Sequence, residues 1–376
     1  MNKESTGLLN SGKSSGRIYW LDVARVIAVI SITLNHAVNR SYCIYSRQLE
    51  EFTSIPIAST VFKTVIYIFS RLGVPIFVMI SGALLLKKDI KTEKDVTNFY
   101  KHNLLRLLIT SEIWVFLYSC YNEFYVKSAA GRSILDIIYD FVLNQLFINQ
   151  DIFTGAWYLA MILCLYLLVP YISMLKDKIS LKTASILLGA VFFISYCIPT
   201  LGGLYKITNH GRVFFGVNEY ADICSMYVVL LIIGYWLSNG GMKKLSNGIV
   251  IAGFILTFLG NCAFQFYVFS MPVDYHIDYH FVGVFVCAVF LFELIRRKGD
   301  LLKFASRPVT YLSRISFGIY LVHIVIMALL IKNGPLPINR AERLIFLEGV
   351  SFIGSIIIIA PLSKIPFVRK YVFMIK

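Results

Sequence analysis

Apolar runs of about 20 residues recur along the 376-residue chain, separated by short polar segments. A helical run of that length crosses the hydrocarbon core of a bilayer. Hydrophobic residues make up 57% of the chain and charged residues only 15%, and a soluble domain of this size could not bury so much apolar surface. The sequence therefore predicts an all-α, polytopic integral membrane protein.

The apolar runs predict about ten transmembrane helices, at residues 18–38, 62–86, 103–124, 154–175, 181–199, 220–238, 246–269, 279–297, 309–331 and 341–362. The segment 134–148 is shorter and acidic, which is typical of an amphipathic helix lying at the membrane interface. Residues 1–16 are polar and predict a disordered cytoplasmic tail. Residues 17–376 are expected to form a single transmembrane domain.

The distribution of Lys and Arg predicts the orientation. Of the 36 basic residues, 24 fall in the segments on the side of the N-terminus and 10 on the opposite side. The positive-inside rule then places both the N-terminus and the C-terminus in the cytoplasm. The net charge of +15 lies in short clusters between apolar runs, so nucleic acid is not an expected partner. We expect the chain in the bacterial cytoplasmic (inner) membrane.

Two ionisable residues in the first predicted helix are candidates for function. Arg25 and His36 are eleven residues apart, which is three helical turns plus about 20° and about 16 Å along the axis. Both therefore project from one face, and ionisable groups within a membrane usually face the interior of the bundle. The structural alternative is an arginine that snorkels to the inner headgroups and a histidine near the outer interface.

The second predicted helix contains Arg71 in mid-span, followed by Gly73, Pro75 and the Ser81-Gly82 pair. An unpaired guanidinium at that depth is costly, so Arg71 is expected to contact Glu112 or an anionic ligand. The glycines, Pro75 and Ser81 are typical of loosened helices and close helix packing.

Other candidates lie on later helices. Lys101, His102 and Arg106 form a basic collar that either holds phosphates or simply follows the positive-inside rule. Trp157 belongs either to an aromatic belt or to a platform on which a sugar stacks. His323 lies half-way along the ninth predicted helix, beyond Tyr320, where it serves function or packing.

His276 and His280 in the run DYHIDYH are four residues apart. Two histidines at that helical spacing can ligate a metal, but the sequence offers no third ligand. An outer polar loop is the preferred interpretation, and no metal site is expected.

Five motifs in order resemble the membrane-bound acyltransferase-3 family: LDVAR…NHA (21–37), GVPIFVMISGALLL (73–86), FYKHNLLRLL (99–108), WYLAMILCLYLLVPYI (157–172) and SFGIYLVH (316–323). The resemblance covers residues 17–362. With RIYWLD (17–22) opening the first helix, the chain looks most like the stand-alone branch that includes the enterobacterial common antigen O-acetyltransferase.

The resemblance implies an O-acyltransferase, expected to be an O-acetyltransferase, that uses cytoplasmic acyl-CoA. The acyl group would pass to a hydroxyl of a cell-surface polysaccharide or lipid-linked glycan. The donor, such as acetyl-CoA, is then a substrate, and no bound cofactor is expected. The family's Arg-x10-His signature maps onto Arg25 and His36.

The chain departs from the family pattern at two positions. Asn103 stands where many members have the first arginine of an Arg-x2-Arg pair, which leaves Arg106, with Lys101 or His102 as substitutes. Gly155-Ala156 precedes Trp157 where many members have a histidine. The sequence also shows no appended extracellular esterase-like domain.

Together these features suggest a mechanism. Arg25, Arg71, Lys101 and Arg106 would hold the acyl-CoA, and His36 would act as a general base or carry the acyl group covalently. The oxyanion donor would be Asn35 or Ser81.

Among the supporting residues, His323 would position the acceptor, and Trp157 and Tyr320 would line its site. A transporter or flippase of lipid-linked saccharides is the main alternative, although the chain shows none of the internally similar halves common in transporters. A sensor or scaffold for envelope assembly is the third hypothesis.

Overall fold

The structure is a computed structural model that describes residues 17–44, 48–126, 133–148, 155–176, 178–209, 211 and 225–375. Over these ranges the chain is helical and contains no β-strand. Together with the apolar helices described below, this confirms the predicted all-α, polytopic membrane fold. The predicted tail at 1–16 lies outside the described residues.

The α-helices are numbered in chain order. They are α1 Tyr19–Tyr42, α2 Gln48–Ser54, α3 Ile57–Ser70, α4 Gly73–Leu85, α5 Glu93–Phe99, α6 Leu105–Tyr121, α7 Ile134–Gln145, α8 Ala156–Leu175, α9 Leu181–Phe192, α10 Ile198–Thr208, α11 Ser225–Ser238, α12 Asn247–Phe269, α13 Val282–Lys298, α14 Ser306–Asn333 and α15 Arg340–Leu362. Short π-helical turns at Tyr100–Leu104 and Phe193–Cys197 join α5 to α6 and α9 to α10.

Eight helical stretches of the described chain are long and apolar enough to cross a membrane. One of them, Val282–Asn333, has 52 residues, which at about 1.5 Å per residue is long enough for two passes. It consists of α13, a 3₁₀ turn at Gly299–Ala305 and α14. The shorter apolar helix Met226–Ser238 lies where another span is predicted. The number ten and the orientation of the termini stay predictions.

Helix α1 lies inside the bundle and packs against α3, α4, α13, α14 and α15. Small residues let it approach its neighbours closely, because Ala24, Ala28 and Ser31 are each fully buried. The helix that carries Arg25 and His36 is therefore enclosed by other helices along most of its length.

The predicted helix at 62–86 is divided in the structure into α3 and α4, with the break at Arg71 and Leu72. Pro75 explains the break, since it has no N–H to donate to the carbonyl of Arg71 four residues earlier. The hydroxyl of Ser31 on α1 donates to the carbonyl of Phe69 at 2.8 Å. This bond satisfies one of the carbonyls exposed at the end of α3.

Two glycines hold α4 and α11 in backbone contact. A Cβ added at Gly82 would overlap the carbonyl of Leu231, and a Cβ added at Gly234 would overlap the backbone of Met79. The prediction that Gly82 permits close helix packing is confirmed.

The amphipathic segment predicted at 134–148 forms helix α7. Ser133 caps its N-terminus by accepting from the N–H of Asp136, and Asn144 donates to the hydroxyl of Ser119 at 2.9 Å. Its apolar residues Ile134 and Leu135 are 76% and 78% exposed. The helix is confirmed, and its position at the membrane interface stays a prediction.

Candidate active site

His36 of α1 and His323 of α14 meet inside the bundle. Their ring centroids lie 5.2 Å apart, and the two side chains are 7% and 0% exposed. The two histidines are 287 residues apart in the sequence, and the packing of α1 on α14 brings them together.

The hydrogen bonds of the two rings differ. His323 Nδ1 lies 2.9 Å from the carbonyl of Ile319, so that nitrogen carries the proton and Nε2 has a lone pair. Within the described part of the chain, His323 Nε2 has no hydrogen-bond partner. No hydrogen bond joins His36 to another described residue either. The pair thus presents a basic nitrogen in an enclosed space.

Aromatic side chains line the space next to the histidines. The ring of Tyr320 lies 6.3 Å from that of His323 and 5.3 Å from that of Tyr158. Its hydroxyl donates to the carbonyl of Gly155 at 2.7 Å. Trp157 lies 5.7 Å from the ring of Tyr279. Tyr320 and Trp157, which the sequence marks as supporting residues, therefore belong to one aromatic cluster near His323.

Arg71 lies at the break between α3 and α4 and is 2% exposed. Its Nη1 contacts Asp278 at 3.1 Å, and its Nη2 donates to the hydroxyl of Tyr67 at 2.8 Å. Its guanidinium also lies 5.3 Å from the ring centroid of Tyr279. The carboxylate partner is therefore Asp278, and the sequence-based choice of Glu112 was wrong. The positive charge of Arg71 acts on His36.

The two residues predicted to stabilise an oxyanion lie in different places. Asn35 is 8% exposed and accepts from the hydroxyl of Ser70, at 3.4 Å, close to the Arg71 break. Ser81 lies about one helical turn before the end of α4 and donates to the carbonyl of Phe77 at 3.1 Å; Tyr166 interacts electrostatically with both Ser81 and Arg25. Asn35 therefore lies toward the His36 end of α1 and Ser81 toward the Arg25 end.

Arg25 forms a charged cluster at the start of α1. Its Nη1 contacts Asp22 at 3.0 Å and Ser313 at 3.4 Å, and Arg17 binds the same carboxylate. Asp22 is 1% exposed and Arg25 is 26% exposed. Among the described residues, Nε and Nη2 of Arg25 make no hydrogen bond, so part of the guanidinium faces open space.

The residues of the basic collar make different contacts. Lys101 is exposed on the π-helical turn before α6, and Arg106 donates to the carbonyls of Lys370 and Ile375. Asn103 accepts from Lys88 at 2.8 Å. Arg106 ties the C-terminal segment to the bundle.

The DYHIDYH run is not helical, which confirms the preferred interpretation of this run as a loop; its position on the outer side stays a prediction. It is an extended loop between α12 and α13. Burial lowers the pKa of His276 to about 4, with a smaller contribution from the charge of Arg71. In the described ranges no group of three or more His, Cys, Asp or Glu is arranged to hold a metal.

Sequence reasoning missed a buried carboxyl group on the last helix. Glu348 of α15 lies 2.6 Å from the hydroxyl of Thr33, which is one turn before His36 on α1. Its second oxygen is buried and has no partner among the described residues. Arg25 was identified as a candidate because it is an ionisable group within an apolar run. The same rule would have identified Glu348.

Comparison with known proteins decides the family. A family model for an acyltransferase domain, the acyltransferase-3 domain, matches residues 18–363. The chain belongs to the acyltransferase-3 family. No curated protein and no solved structure matches the chain.

Membership of the acyltransferase-3 family gives the class of activity, the transfer of acyl groups. The apolar helices, together with the family, make the chain a multi-pass membrane protein. The five sequence motifs therefore indicated the correct family. The likeness to the enterobacterial common antigen O-acetyltransferase stays a prediction.

Proposed function

We propose that this acyltransferase moves an acetyl or other short acyl group from cytoplasmic acyl-CoA to a hydroxyl of a cell-surface polysaccharide or lipid-linked glycan. The proposed location is the bacterial cytoplasmic membrane. The observation that carries the proposal is the buried pair of His36 and His323, with centroids 5.2 Å apart, in a family of acyltransferases.

A buried imidazole without a structural partner suits general base catalysis. The acceptor hydroxyl gives its proton to a ring nitrogen of His36 while its oxygen attacks the thioester carbonyl carbon. The carbon–sulfur bond then breaks, and the departing CoA sulfur takes the proton back from the imidazolium. An ester and free CoA result, so atoms and charges balance.

A second version of the mechanism uses His36 as a nucleophile. Its ring nitrogen attacks the thioester and CoA leaves. The acceptor oxygen then attacks the acyl-imidazole, and His323 takes the proton of the acceptor. Brief exposure to labelled donor without acceptor separates the versions, because only the covalent route leaves label on the protein.

Arg25 is the best-placed residue for the donor. It is held by Asp22 through one nitrogen, and the rest of its guanidinium is able to bind a phosphate of CoA in the bidentate manner that arginine favours. Lys101 is exposed and would add positive charge to the donor site. Arg106 contributes less in this proposal, because its bonds to the C-terminal segment already occupy it.

Asn35, rather than Ser81, is the proposed oxyanion donor. Asn35 lies beside Ser70 at the level of the Arg71 break, and Arg71 acts on His36. The positive charge of Arg71 would stabilise the developing oxyanion as well.

The test is acyl transfer from radiolabelled acetyl-CoA in membrane vesicles, comparing the native protein with His36→Ala and Arg25→Ala. Label in the glycan or lipid fraction is expected only with the native protein. Arg307→Ala is the matched control, because Arg307 is an exposed arginine at the start of α14.

Each other outcome has a definite meaning. Transfer that persists in both variants would refute the assignment of the site. If the inserted native protein transfers no label but moves a lipid-linked saccharide across vesicles, the transporter alternative is correct. If His36→Ala leaves the acylation of the cell surface unchanged, the scaffold alternative gains support.

A further inference from the structure

A cavity of about 460 Å³ lies outside the histidine site. On one side it is lined by the N-terminal part of α3 and the residues before it, and on the other by the start of α15 and the loop before it. Its walls are mostly apolar, with polar groups from Ser59, Asn339 and Arg340. An apolar cavity with one cation is typical of a site for an amphipathic anion.

The cavity lies at the end of the bundle that is closer to His36 than to Arg25. Its lining residue Ser59 bonds to the hydroxyl of Tyr42 at 3.0 Å. Tyr42 is the last residue of α1, six residues or about 9 Å beyond His36. The charge of Arg340 acts on Tyr42. A ligand in this cavity would therefore lie within a few helical turns of the histidine pair.

A second positive charge lies behind the same wall. Lys63 is fully buried, with its Nζ 4.1 Å from the ring centroid of Phe269 and 5.8 Å from that of Tyr42. Two cations, Arg340 and Lys63, thus flank the Tyr42–Ser59 contact. An anion in the cavity would be attracted by Arg340 at its wall.

The surface beside the cavity is suited to a hydrocarbon chain. Ile338 at its rim is 94% exposed. Next to the cavity, Ile57, Val61 and Val65 recur at four-residue spacing on α3 and are 70%, 48% and 38% exposed. Residues at that spacing form one stripe along a helix. The stripe runs from the cavity along α3 for about 12 Å.

We propose that this cavity binds the phosphate of a lipid-linked acceptor, with Arg340 contacting the phosphate and the chain lying along the α3 stripe. The inference rests on the proposed function and deepens it, because it selects a lipid phosphate as the acceptor's anchor. The glycan attached to that phosphate would then extend toward His36.

The binding test uses the purified full chain in detergent and measures its thermal unfolding midpoint with three probes. These are geranylgeranyl phosphate, geranylgeraniol and inorganic phosphate. Only geranylgeranyl phosphate is expected to raise the midpoint. Arg340→Gln is expected to weaken its binding by at least about tenfold, since a charge-assisted hydrogen bond is lost. Lys332→Gln, which removes a cation in the last turn of α14, should bind it like the native protein.

Other results would overturn the proposal. Equal shifts with geranylgeraniol would mean that only apolar contact matters, and equal shifts with inorganic phosphate would mean a free phosphate site. Native affinity in Arg340→Gln would exclude the assigned contact. Where Arg340→Gln has a lower midpoint without any probe, Arg340→Lys keeps the charge and should bind more tightly than Arg340→Gln.

The acyl-transfer assay separates this inference from the function on which it rests. For a lipid-linked acceptor, Arg340→Gln should raise the acceptor KM about tenfold and leave the hydrolysis of acetyl-CoA unchanged. If the native protein binds lipid phosphate but transfers no acyl group, the proposed function is refuted and the proposed lipid phosphate site stands. Acyl transfer with an unchanged acceptor KM would refute the site alone.

Discussion

The two ends of the polar stripe on α1 have opposite surroundings. At one end Arg25 shares the carboxylate of Asp22 with Arg17 and remains 26% exposed. At the other end His36 is 7% exposed and faces a second histidine, with no hydrogen bond to the described residues. A half-buried, partly engaged cation suits binding of an anionic substrate, whereas a buried, unengaged base suits chemistry.

This contrast predicts that the two ends affect different kinetic constants. Loss of a group that acts in the transition state lowers kcat, and loss of uniform binding raises KM. The variants below test that division, beginning with the largest expected effect.

Replacing His36 by Gln should lower kcat at least about 100-fold, the range for losing a general base, with little change in the KM for acyl-CoA. Steady-state transfer in vesicles measures both constants. His323→Gln should lower kcat less, because His323 is assigned to positioning. A variant of His36 that changes only KM would contradict the division.

Replacing Arg25 by Gln should raise the KM for acyl-CoA about tenfold and leave kcat within about threefold. The same assay with varied acyl-CoA measures this effect, and Arg307→Gln is the matched control. If Arg25→Gln lowers kcat alone, Arg25 acts in the transition state and the two ends of α1 do not differ in role.

Replacing Asp278 by Asn should lower the free energy of unfolding by about 2 kcal/mol. Arg71 is buried, and it would then lose its carboxylate partner. Denaturation of the purified protein in detergent measures the change. Asp274→Asn is a control on the same loop. Unchanged stability would mean that the other contacts of Arg71, among them the one with Tyr67, are enough to hold it.

Replacing Glu348 by Gln should lower kcat about fivefold, since about 1 kcal/mol of hydrogen bonding to Thr33 is altered beside the site. Thr33→Val removes the hydrogen bond outright, whereas the amide oxygen of Gln can still accept it, so Thr33→Val should have at least as large an effect. If Glu348→Gln matches the loss in His36→Gln, Glu348 belongs to the chemistry itself.

The last prediction concerns pH. The folded pKa of His276 is about 4, below the value near 6.5 of an unfolded chain. Between these values the unfolded chain binds more protons, so the stabilisation from the neutral ring is complete above about pH 6.5 and is lost as the pH falls toward 4. The difference between the unfolding midpoints at pH 7 and at pH 5 should be smaller in His276→Gln than in the native protein.

Local sequence patterns were enough to predict the helices and the α1 stripe. Apolar runs indicate membrane-spanning helices directly. The eleven-residue spacing of Arg25 and His36 places both residues on the same face of α1. His323 was also a candidate, because a histidine in mid-span is conspicuous. Its contact with His36 was beyond the sequence, since packing between distant helices decides it.

The interaction partners of the charged side chains could not be predicted from the sequence, because tertiary packing determines them. Glu112 seemed a reasonable neighbour of Arg71 on the next helix, but a loop 207 residues away supplies Asp278. Arg106 was assigned to a phosphate collar because its charge was visible. Its bonds to the carbonyls of the C-terminal segment depend on how the chain folds back.

The glycine contact between α4 and α11 has a consequence for how substrates enter. The backbones of α4 and α11 touch at Gly82 and Gly234. A sliding movement between these helices would cause a steric clash, so we expect them to move together as one rigid unit. Any opening wide enough for acyl-CoA must then come from helices packed less tightly. Among the described stretches long enough to span a membrane, Leu181–Thr208 is the least buried, at 11%, so movement that admits a substrate is expected there rather than between α4 and α11.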